Sequence, residues 1–180
     1  PKLVLRRLLP FLTILYLALF AGAAFLLWQQ YSERLSERSS IVSGEVVQDF
    51  KNALEQQAQG LIMTAQSISQ NKEMIEALRT GDRERLISDW MDLFQTLYKE
   101  QSLTTLIFVD TNRISMLRLR RPDLYGDKVN IYTALEAERT LKPSYGIELG
   151  PQQILALRLV YPVLNNKRLV GYILLGKEIE

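Results

Sequence analysis

Three arginines in the second half of the chain have the type and spacing to recognise a small anion. In the run ISMLRLR, strand alternation predicts that Arg118 and Arg120 share a face with Met116, opposite the two leucines. In ILALRLVY, it predicts that Arg158 lies opposite Leu157 and Leu159, alone among apolar neighbours. A guanidinium fork matches the two oxygens of a carboxylate. Because Asp127 and Glu148 could accept hydrogen bonds from an ammonium group, the pattern predicts a site for an amino acid, an amine or a small carboxylate. Four tyrosines would wall this site: Tyr125, Tyr132, Tyr145 and Tyr161.

The same residues also permit a purely structural interpretation. Arg158 and Glu148 lie on strands predicted to be adjacent, where they could form an ion pair. Residues 125–127 could serve only to shape a turn. Arg118 and Arg120 could form a solvated basic edge, and the tyrosines could belong to the core. The sequence leaves ligand contact and structural pairing both open.

The chain lacks the side chains that most enzymes and metal sites use. It contains no histidine and no cysteine. This removes the commonest general base, a phospho-accepting histidine, thiolate metal ligands and covalent haem attachment. No Walker loop, GxSxG or HExxH spacing occurs. We therefore expect no catalytic residue, no metal site and no cofactor in this segment.

The charge balance argues against nucleic acid as a partner. Over the whole chain, 22 Lys and Arg stand against 20 Asp and Glu, and the first 28 residues hold three of the basic ones. The rest of the chain therefore carries 19 basic and 20 acidic side chains, a net charge of −1. Such a balanced surface offers no electrostatic attraction for a phosphate backbone.

An uncharged apolar run over residues 8–28, LLPFLTILYLALFAGAAFLLW, predicts a transmembrane helix. At about 1.5 Å per residue, this length spans a hydrocarbon core of about 30 Å. Because Lys2, Arg6 and Arg7 precede the run, residues 1–7 are expected in the cytoplasm and the remainder outside the inner membrane, in the periplasm. A cleaved signal peptide is the alternative, although the run exceeds the usual h-region of about 7 to 15 residues. Both interpretations export the remainder.

Residues 29–79 have the composition and the period of one long amphipathic helix. The stretch contains no proline, and apolar residues recur every seven positions at Val47, Leu54, Leu61 and Ile68. This stripe could form the seam of a homodimeric coiled coil, or it could pack on the chain's own downstream domain. We expect both uses, with dimer contacts nearer the membrane and domain packing further out.

From residue 80 onward, the pattern is that of a small α+β domain. Residues 80–82 predict a helix stop and an N-cap, and a second helix follows over 83–99. A five-stranded antiparallel sheet with the long helix on one face would bury a core of ordinary size in about 100 residues, which is a PAS-like arrangement. The expected elements of this sheet are strands over 103–110, 114–120, 145–149, 154–161 and 169–175, a short helix over 130–139, and a turn at Asn165 and Asn166.

Specific segments resemble the extracellular Cache sensor domains of bacterial transmembrane receptors. They are IFVDTNRISMLRLRRPDLYGDKV, GIELG, LRLVYPV and LVGYILLG, in that order. The resemblance is greatest to the double-Cache type of histidine kinases, chemoreceptors and diguanylate cyclases. It implies a ligand pocket on the sheet face that the loops and the short helix cover. Residues 80–180 would then be either the membrane-distal half of a double domain or a single-Cache variant. We expect the distal half, whose second half and second transmembrane helix would follow residue 180.

The expected function is that of a non-catalytic sensor. A small molecule would bind outside the cytoplasm, and the long helix would carry the change to a cytoplasmic output module. The alternative is a membrane-anchored oligomerisation protein whose small domain binds protein partners. An extracytoplasmic enzyme has less support, because Glu148 or Asp127 would have to act alone. A ligand screen separates the sensor from the oligomerisation protein.

Overall fold

The computed structural model describes residues 46–150 and 153–179, together with three isolated helical positions, Phe20, Gly22 and Phe25. Apart from these three positions, the predicted cytoplasmic N-terminus, the predicted membrane span and the first part of the predicted long helix lie outside the described residues. Among the residues that are described, no helix combines the length and the apolar character needed to cross a membrane.

The chain divides into two units, Pro1–Asn52 and Ala53–Glu180. The described positions of the first unit are all helical. The second unit contains the sheet and most of the helical residues. The helices of the described chain are α1 (46–69), α2 (Lys72–Thr80), α3 (Arg83–Gln101) and α4 (Tyr132–Thr140).

The single helix predicted to continue to residue 79 is interrupted after residue 69. The Asn71 side chain accepts a hydrogen bond of 2.8 Å from the backbone N–H of Met74, which begins a new helix, α2. Gly81 ends α2 with φ of 77°, a left-handed conformation that glycine adopts without a Cβ clash. Asp82 then caps α3 through the N–H of Arg85, which confirms the predicted stop and cap at residues 80–82.

One antiparallel sheet contains all the strands of the described chain, β1 (Thr105–Val109), β2 (Ser115–Arg118), β3 (Ser144–Leu149), β4 (Leu155–Asn165) and β5 (Arg168–Glu178). Their order across the sheet is β2-β1-β5-β4-β3. A two-residue turn of Asn166 and Lys167, with φ of 48° and 65°, joins β4 to β5. Left-handed values at both central positions are typical of the tight hairpin turn that matches strand twist. The predicted α+β class with a five-stranded antiparallel sheet is confirmed.

The first three helices cover one face of the sheet and bury the larger core. Trp90 of α3 meets Phe108 of β1 edge to face, with ring centroids 6.1 Å apart. Leu61 and Ile68, two of the heptad positions in α1, are 3% and 2% exposed in the same cluster. The outer part of the predicted stripe therefore packs on the chain's own domain, as expected.

The helix α4 covers part of the opposite face, which we call the α4 face. Its buried residues toward the sheet are small, Ala134 and Ala137, and they belong to a cluster with Val160, Tyr172 and Leu174. Small side chains allow close approach of a helix to a sheet. The α4 face is therefore mostly closed, and its polar groups lie around a small apolar cluster.

Candidate ligand-binding site

Three of the predicted charged residues lie on the α4 face. Side chains alternate along a strand, and directly opposed residues of an antiparallel pair share a face. Arg158 lies two positions before Val160 of the α4-side cluster, and Arg118 lies opposite a residue of that cluster in β1. Glu148 contacts Thr133 of α4 directly. The alternation predicted for the fourth strand is thereby confirmed.

Arg120 does not join Arg118, although the sequence places them on one face together with Met116. A β-bulge shifts the register between β1 and β2, and Met116 packs against the core under the first three helices. The Arg120 guanidinium lies 5.7 Å from the ring centroid of Tyr98 in α3 and donates a 2.7 Å hydrogen bond to Glu178. Arg120 therefore forms a surface ion pair near α3.

The four predicted tyrosines do not gather around the charged groups. Tyr145 and Tyr161 lie opposite Leu159 and Ile173, which belong to the core under the first three helices, so both face away from α4. Tyr132, the first residue of α4, is 72% exposed. Tyr125 is exposed as well, and its ring lies beneath a guanidinium of α3.

Arg118 and Asp127, predicted as anion clamp and ammonium acceptor, bind each other. Arg118 Nη1 and Nη2 donate to the two Asp127 oxygens at 2.7 and 2.8 Å. Nη1 also donates to Ser115 Oγ and to the carbonyl of Leu124, each at 2.9 Å. The Arg118 guanidinium, followed by the Ser115 hydroxyl, holds the pKa of Asp127 well below its usual range. This network ties the loop before α4 to β2.

Glu148 reaches across from β3 to cap α4. Its carboxylate accepts the backbone N–H of Thr133 at 2.7 Å and the Thr133 hydroxyl at 3.1 Å. The residue at the N-cap position, Ile131, has no side chain that could accept these bonds. A carboxylate at a helix N-terminus satisfies free N–H groups and interacts favourably with the helix dipole. Glu148 therefore links the start of α4 to the sheet.

A second contact links the last turn of α4 to the β1–β2 turn. Arg113 is buried, with 7% of its surface exposed, and its Nη1 donates to the carbonyl of Val129 at 2.9 Å. Its Nε lies 3.1 Å from a carboxylate oxygen of Glu138 in α4. Arg113 has φ of 65°, so the turn directs its side chain inward against the loop. The helix is thus held near both ends by charged groups.

Arg158 remains without an acceptor among the described residues. It is half-buried, and its Nε is fully buried without a hydrogen-bond partner there. Burial lowers the pKa of Arg158, against the opposing effects of Glu148 and Glu178. Within the described chain no Glu148–Arg158 ion pair forms, because Glu148 is engaged by α4. The structural pairing considered for these two residues is therefore absent from the described chain, in which Arg158 is the predicted arginine without an acceptor.

Sequence analysis did not identify three further residues of the α4 face. Thr133 and Ser115 are partners of Glu148 and Asp127 at separations of 15 and 12 residues, and no local pattern indicates such pairs. Tyr172 lies in an apolar strand segment, yet its buried hydroxyl has no partner among the described residues, and burial raises its pKa. No group of three or more acidic side chains that could hold a metal ion occurs in the described part of the chain.

Comparison with known protein families identifies the domain. A family model described as the double sensory domain of two-component sensor kinases matches residues 31–180. The chain belongs to this double Cache family. Its match covers α1 to α4 and the complete sheet, so the resemblance seen in the sequence is confirmed. No match emerges from comparison with curated proteins.

Solved structures share the fold of this double Cache chain at low sequence identity. A sensory box/GGDEF family protein domain from Vibrio parahaemolyticus has 18% identity and a TM-score of 0.56, covering 72% of this chain and 56% of its own. The E. coli DcuS sensor domain has 16% identity and a TM-score of 0.58, and the match covers 69% of this chain and 90% of that domain. The V. cholerae histidine kinase DctB sensor domain has 15% identity and a TM-score of 0.51, and the match covers 73% of this chain and 55% of that domain. The chain thus spans about half the length of the two Vibrio domains.

Family membership decides the role of the domain. The double Cache chain is an extracytoplasmic ligand-sensing domain of a signalling receptor. Its role is sensory and not catalytic.

Proposed function

We propose that the domain binds a small carboxylate-bearing molecule, an amino acid or a small organic acid, on the α4 face, with Arg158 as the carboxylate contact. The observation that carries this proposal is the half-buried Arg158, whose Nε is buried without an acceptor in the described chain. Burying a donor without an acceptor costs about 1 to 3 kcal/mol. A ligand carboxylate at the accessible part of the guanidinium would supply the opposite charge, and a shift of the side chain toward it would give Nε the acceptor it lacks.

The state of the two acidic candidates favours a carboxylate ligand over a simple amine. Asp127 is neutralised by Arg118, and Glu148 is engaged by Thr133 at the start of α4. An amine would have to displace one of these contacts, whereas a carboxylate at Arg158 would displace none. The ammonium group of an amino acid could still reach Glu148, which lies opposite Ala156 in β4, two positions from Arg158.

The proposal includes a route from ligand to helix. Glu148 and Arg158 lie on adjacent strands, so a ligand charge at Arg158 changes the electrostatic field at the carboxylate that caps α4. The residues 8–28 would anchor the chain in the inner membrane, and α1 would transmit the change within a homodimer to a kinase, chemoreceptor or cyclase module. Typical couplings of this kind are about 1 to 3 kcal/mol.

Thermal unfolding of the whole chain in lipid nanodiscs tests the ligand proposal. Fluorescence of Trp90, which is 8% exposed in the core, reports the melting of the sensory domain. A panel of amino acids, small organic acids and amines should contain a carboxylate-bearing compound that raises Tm saturably. A ligand at about 100 times its Kd adds about 2.7 kcal/mol of stability.

Matched arginine variants then locate the site. Arg158→Gln should abolish the ligand-induced rise in Tm while the ligand-free protein still melts cooperatively. Arg85→Gln, which removes an exposed ion pair with Asp89 on α3, should keep the rise. Full stabilisation of the Arg158→Gln variant would place the ligand elsewhere. A panel without any effect, beside a stable oligomer, would favour a membrane-anchored oligomerisation protein.

A further inference from the structure

An open groove lies at the end of the sheet far from Arg158. Its volume is about 1020 Å³. Seven residues of β4 separate Arg158 from Asn165 at the groove, which is about 23 Å at about 3.3 Å per strand residue. The groove is therefore distant from Arg158, while Ser115 of the Arg118–Asp127 network lies at its edge. Four segments line it: the end of α2 with the start of α3, the β1–β2 turn, the loop at Tyr125 and Gly126, and the β4–β5 hairpin.

The groove has an apolar floor and a polar rim. Leu78 is buried, and Met116 and Val170 are half-buried at its base, and all three pack in the core under the first three helices. The residues around the opening are mostly exposed and polar, and they come from the α2–α3 turn, the β1–β2 turn and the β4–β5 hairpin. A dry centre inside a polar rim is the usual anatomy of a protein interface.

Arg83 gives the groove a fixed positive charge. Its Nε donates to the carbonyl of Met116 at 2.8 Å, and its Nη2 donates to the carbonyl of Pro122 at 2.7 Å. The Tyr125 ring lies 3.7 Å from its Cζ. Carbonyls and a ring orient the guanidinium without neutralising it, and no carboxylate of the described chain lies within 4.0 Å of it. Arg83 is therefore held in position with its charge uncompensated.

The other charged residues of the rim leave the groove positive. Arg168 is exposed and makes no hydrogen bond or ion pair within the described chain. Arg79 is paired with Glu76. The single acidic lining residue, Asp110, is engaged by the backbone N–H groups of Asn112 and Ile114. The lining therefore has three arginines against one carboxylate, and Arg83 and Arg168 have no carboxylate partner in the described chain.

We propose that this groove docks an acidic polypeptide segment of a partner protein. An apolar side chain of the segment would lie on the floor, and its carboxylates would meet Arg83 and Arg168. The volume lies at the upper limit of small-molecule pockets, about 300 to 1,000 Å³, and the rim is exposed, which suits a longer occupant. Arginine and tyrosine side chains are also the residues that contribute most at protein interfaces.

Selection from a displayed random peptide library against the whole chain in nanodiscs tests the proposal. Selected peptides should be enriched in Asp and Glu beside apolar residues, and their affinity should fall as salt rises. In a fluorescence anisotropy titration, Arg168→Gln should weaken a selected peptide on the order of tenfold. Because Arg168 is exposed and unpaired in the described chain, the variant should keep the wild-type Tm.

Two further variants serve as a second groove substitution and as a control outside the groove. Arg83→Gln should weaken the same peptide, with Tm measured in parallel because Arg83 also holds two carbonyls. Arg85→Gln, an exposed arginine on the same helix that pairs with Asp89 outside the groove, should bind like wild type. Selected peptides without an acidic consensus, or equal losses in the Arg168 and Arg85 variants, would overturn the proposal.

Discussion

At the residue scale, the arginines of the α4 face differ in the hydrogen-bond acceptors that the fold already provides for them. Arg118 has a carboxylate, a hydroxyl and a carbonyl within hydrogen-bond distance. Arg158 has none of these among the described residues. A guanidinium whose donors are satisfied gains little from a ligand, whereas an unsatisfied buried donor gains most. The open arginine is therefore the one on which ligand affinity should depend.

Gly150 is predicted to set the position of the Arg158 guanidinium. A Cβ at Gly150 would lie 2.5 Å from Arg158 Nη2, the far end of a flexible side chain. Gly150→Ala should therefore displace the guanidinium while the fold changes in stability by no more than about 0.5 kcal/mol. The expected result is a normal ligand-free Tm and loss of the Tm rise with a carboxylate ligand.

Gly60 of α1 provides the control, because α1 packs on the face of the sheet opposite to α4. A Cβ there would meet nothing within 4 Å. Gly60→Ala should keep the ligand-induced rise in Tm. If the Gly150→Ala variant responds to ligand as fully as the Gly60→Ala variant, Arg158 does not require the space over Gly150.

Asp127 should make the domain sensitive to acid. Its pKa in the folded protein lies well below the ordinary value of about 4, because Arg118 and Ser115 hydrogen-bond its carboxylate. The unfolded chain therefore binds the proton first, so this contribution is complete above about pH 5 and is lost as pH falls toward the folded pKa. Because the side chain is 61% exposed, the contribution should be only about 1 kcal/mol.

Urea unfolding at neutral pH and at about pH 4 measures this contribution. Asp127→Asn should be less stable than wild type at neutral pH and should lose less stability on acidification. Asp89→Asn, on an exposed part of α3, is the control and should follow the wild-type pH dependence. Parallel curves for Asp127→Asn and wild type would contradict the assignment.

Sequence alternation predicted side-chain faces well where the strand is regular. It placed Arg158 opposite Leu157 and Leu159, which the structure confirms. It failed at Met116, because a β-bulge adds a residue there and changes its face. It failed at Arg120 because β2 ends at Arg118, so strand alternation no longer applies. The contacts of Glu148 could not be predicted either, because its partner Thr133 lies on a helix brought near only by the folded sheet.

At the element scale, α4 depends on an acceptor from another element. The Glu148 carboxylate replaces the missing N-cap side chain at Ile131. Glu148→Ala should therefore destabilise the protein by about 1 kcal/mol, the usual cost of removing a cap. Hydrogen exchange in residues 132–140 should accelerate, while the amides of α3 keep their wild-type protection.

Glu136 on the same helix is the control for this prediction. It pairs only with Arg139 at the surface of α4. Glu136→Ala should leave exchange at the start of α4 unchanged. Equal acceleration in both variants would mean that the loss of any acidic side chain loosens α4, and the specific cap would be excluded.

The break between α1 and α2 shows why element boundaries were harder to predict than element type. Ile75 follows Leu61 and Ile68 at the same spacing of seven residues and packs against the same core, so the apolar pattern continues through the break. The local signal is Asn71, whose side chain caps α2. Asparagine tolerates both helix and cap, and tertiary packing decides which it adopts.

At the scale of the whole molecule, alternating strands and one amphipathic helix were enough to predict a five-stranded PAS-like sheet. These patterns could not predict at which end of the sheet a groove would form. Tyr125 was predicted as part of a ligand site, and the structure places it on the rim of the far groove under Arg83. Strand order brings the hairpin turns together at that end, which no local pattern reports.

The exposed part of α1 predicts how two copies associate. Leu61 and Ile68 are used by the chain's own core, whereas Phe50 is 57% exposed with Val47 beside it on the same helical stripe. A second copy could bury this stripe, and burying a phenylalanine contributes about 1.5 to 3 kcal/mol. Phe50→Glu should therefore weaken dimerisation in detergent at least about tenfold, measured by analytical ultracentrifugation. Met63→Glu, at a 67% exposed position further along α1, should dimerise like wild type. Equal weakening by both substitutions would place the dimer contact along the whole helix, and no weakening by Phe50→Glu would place it outside the Phe50 stripe.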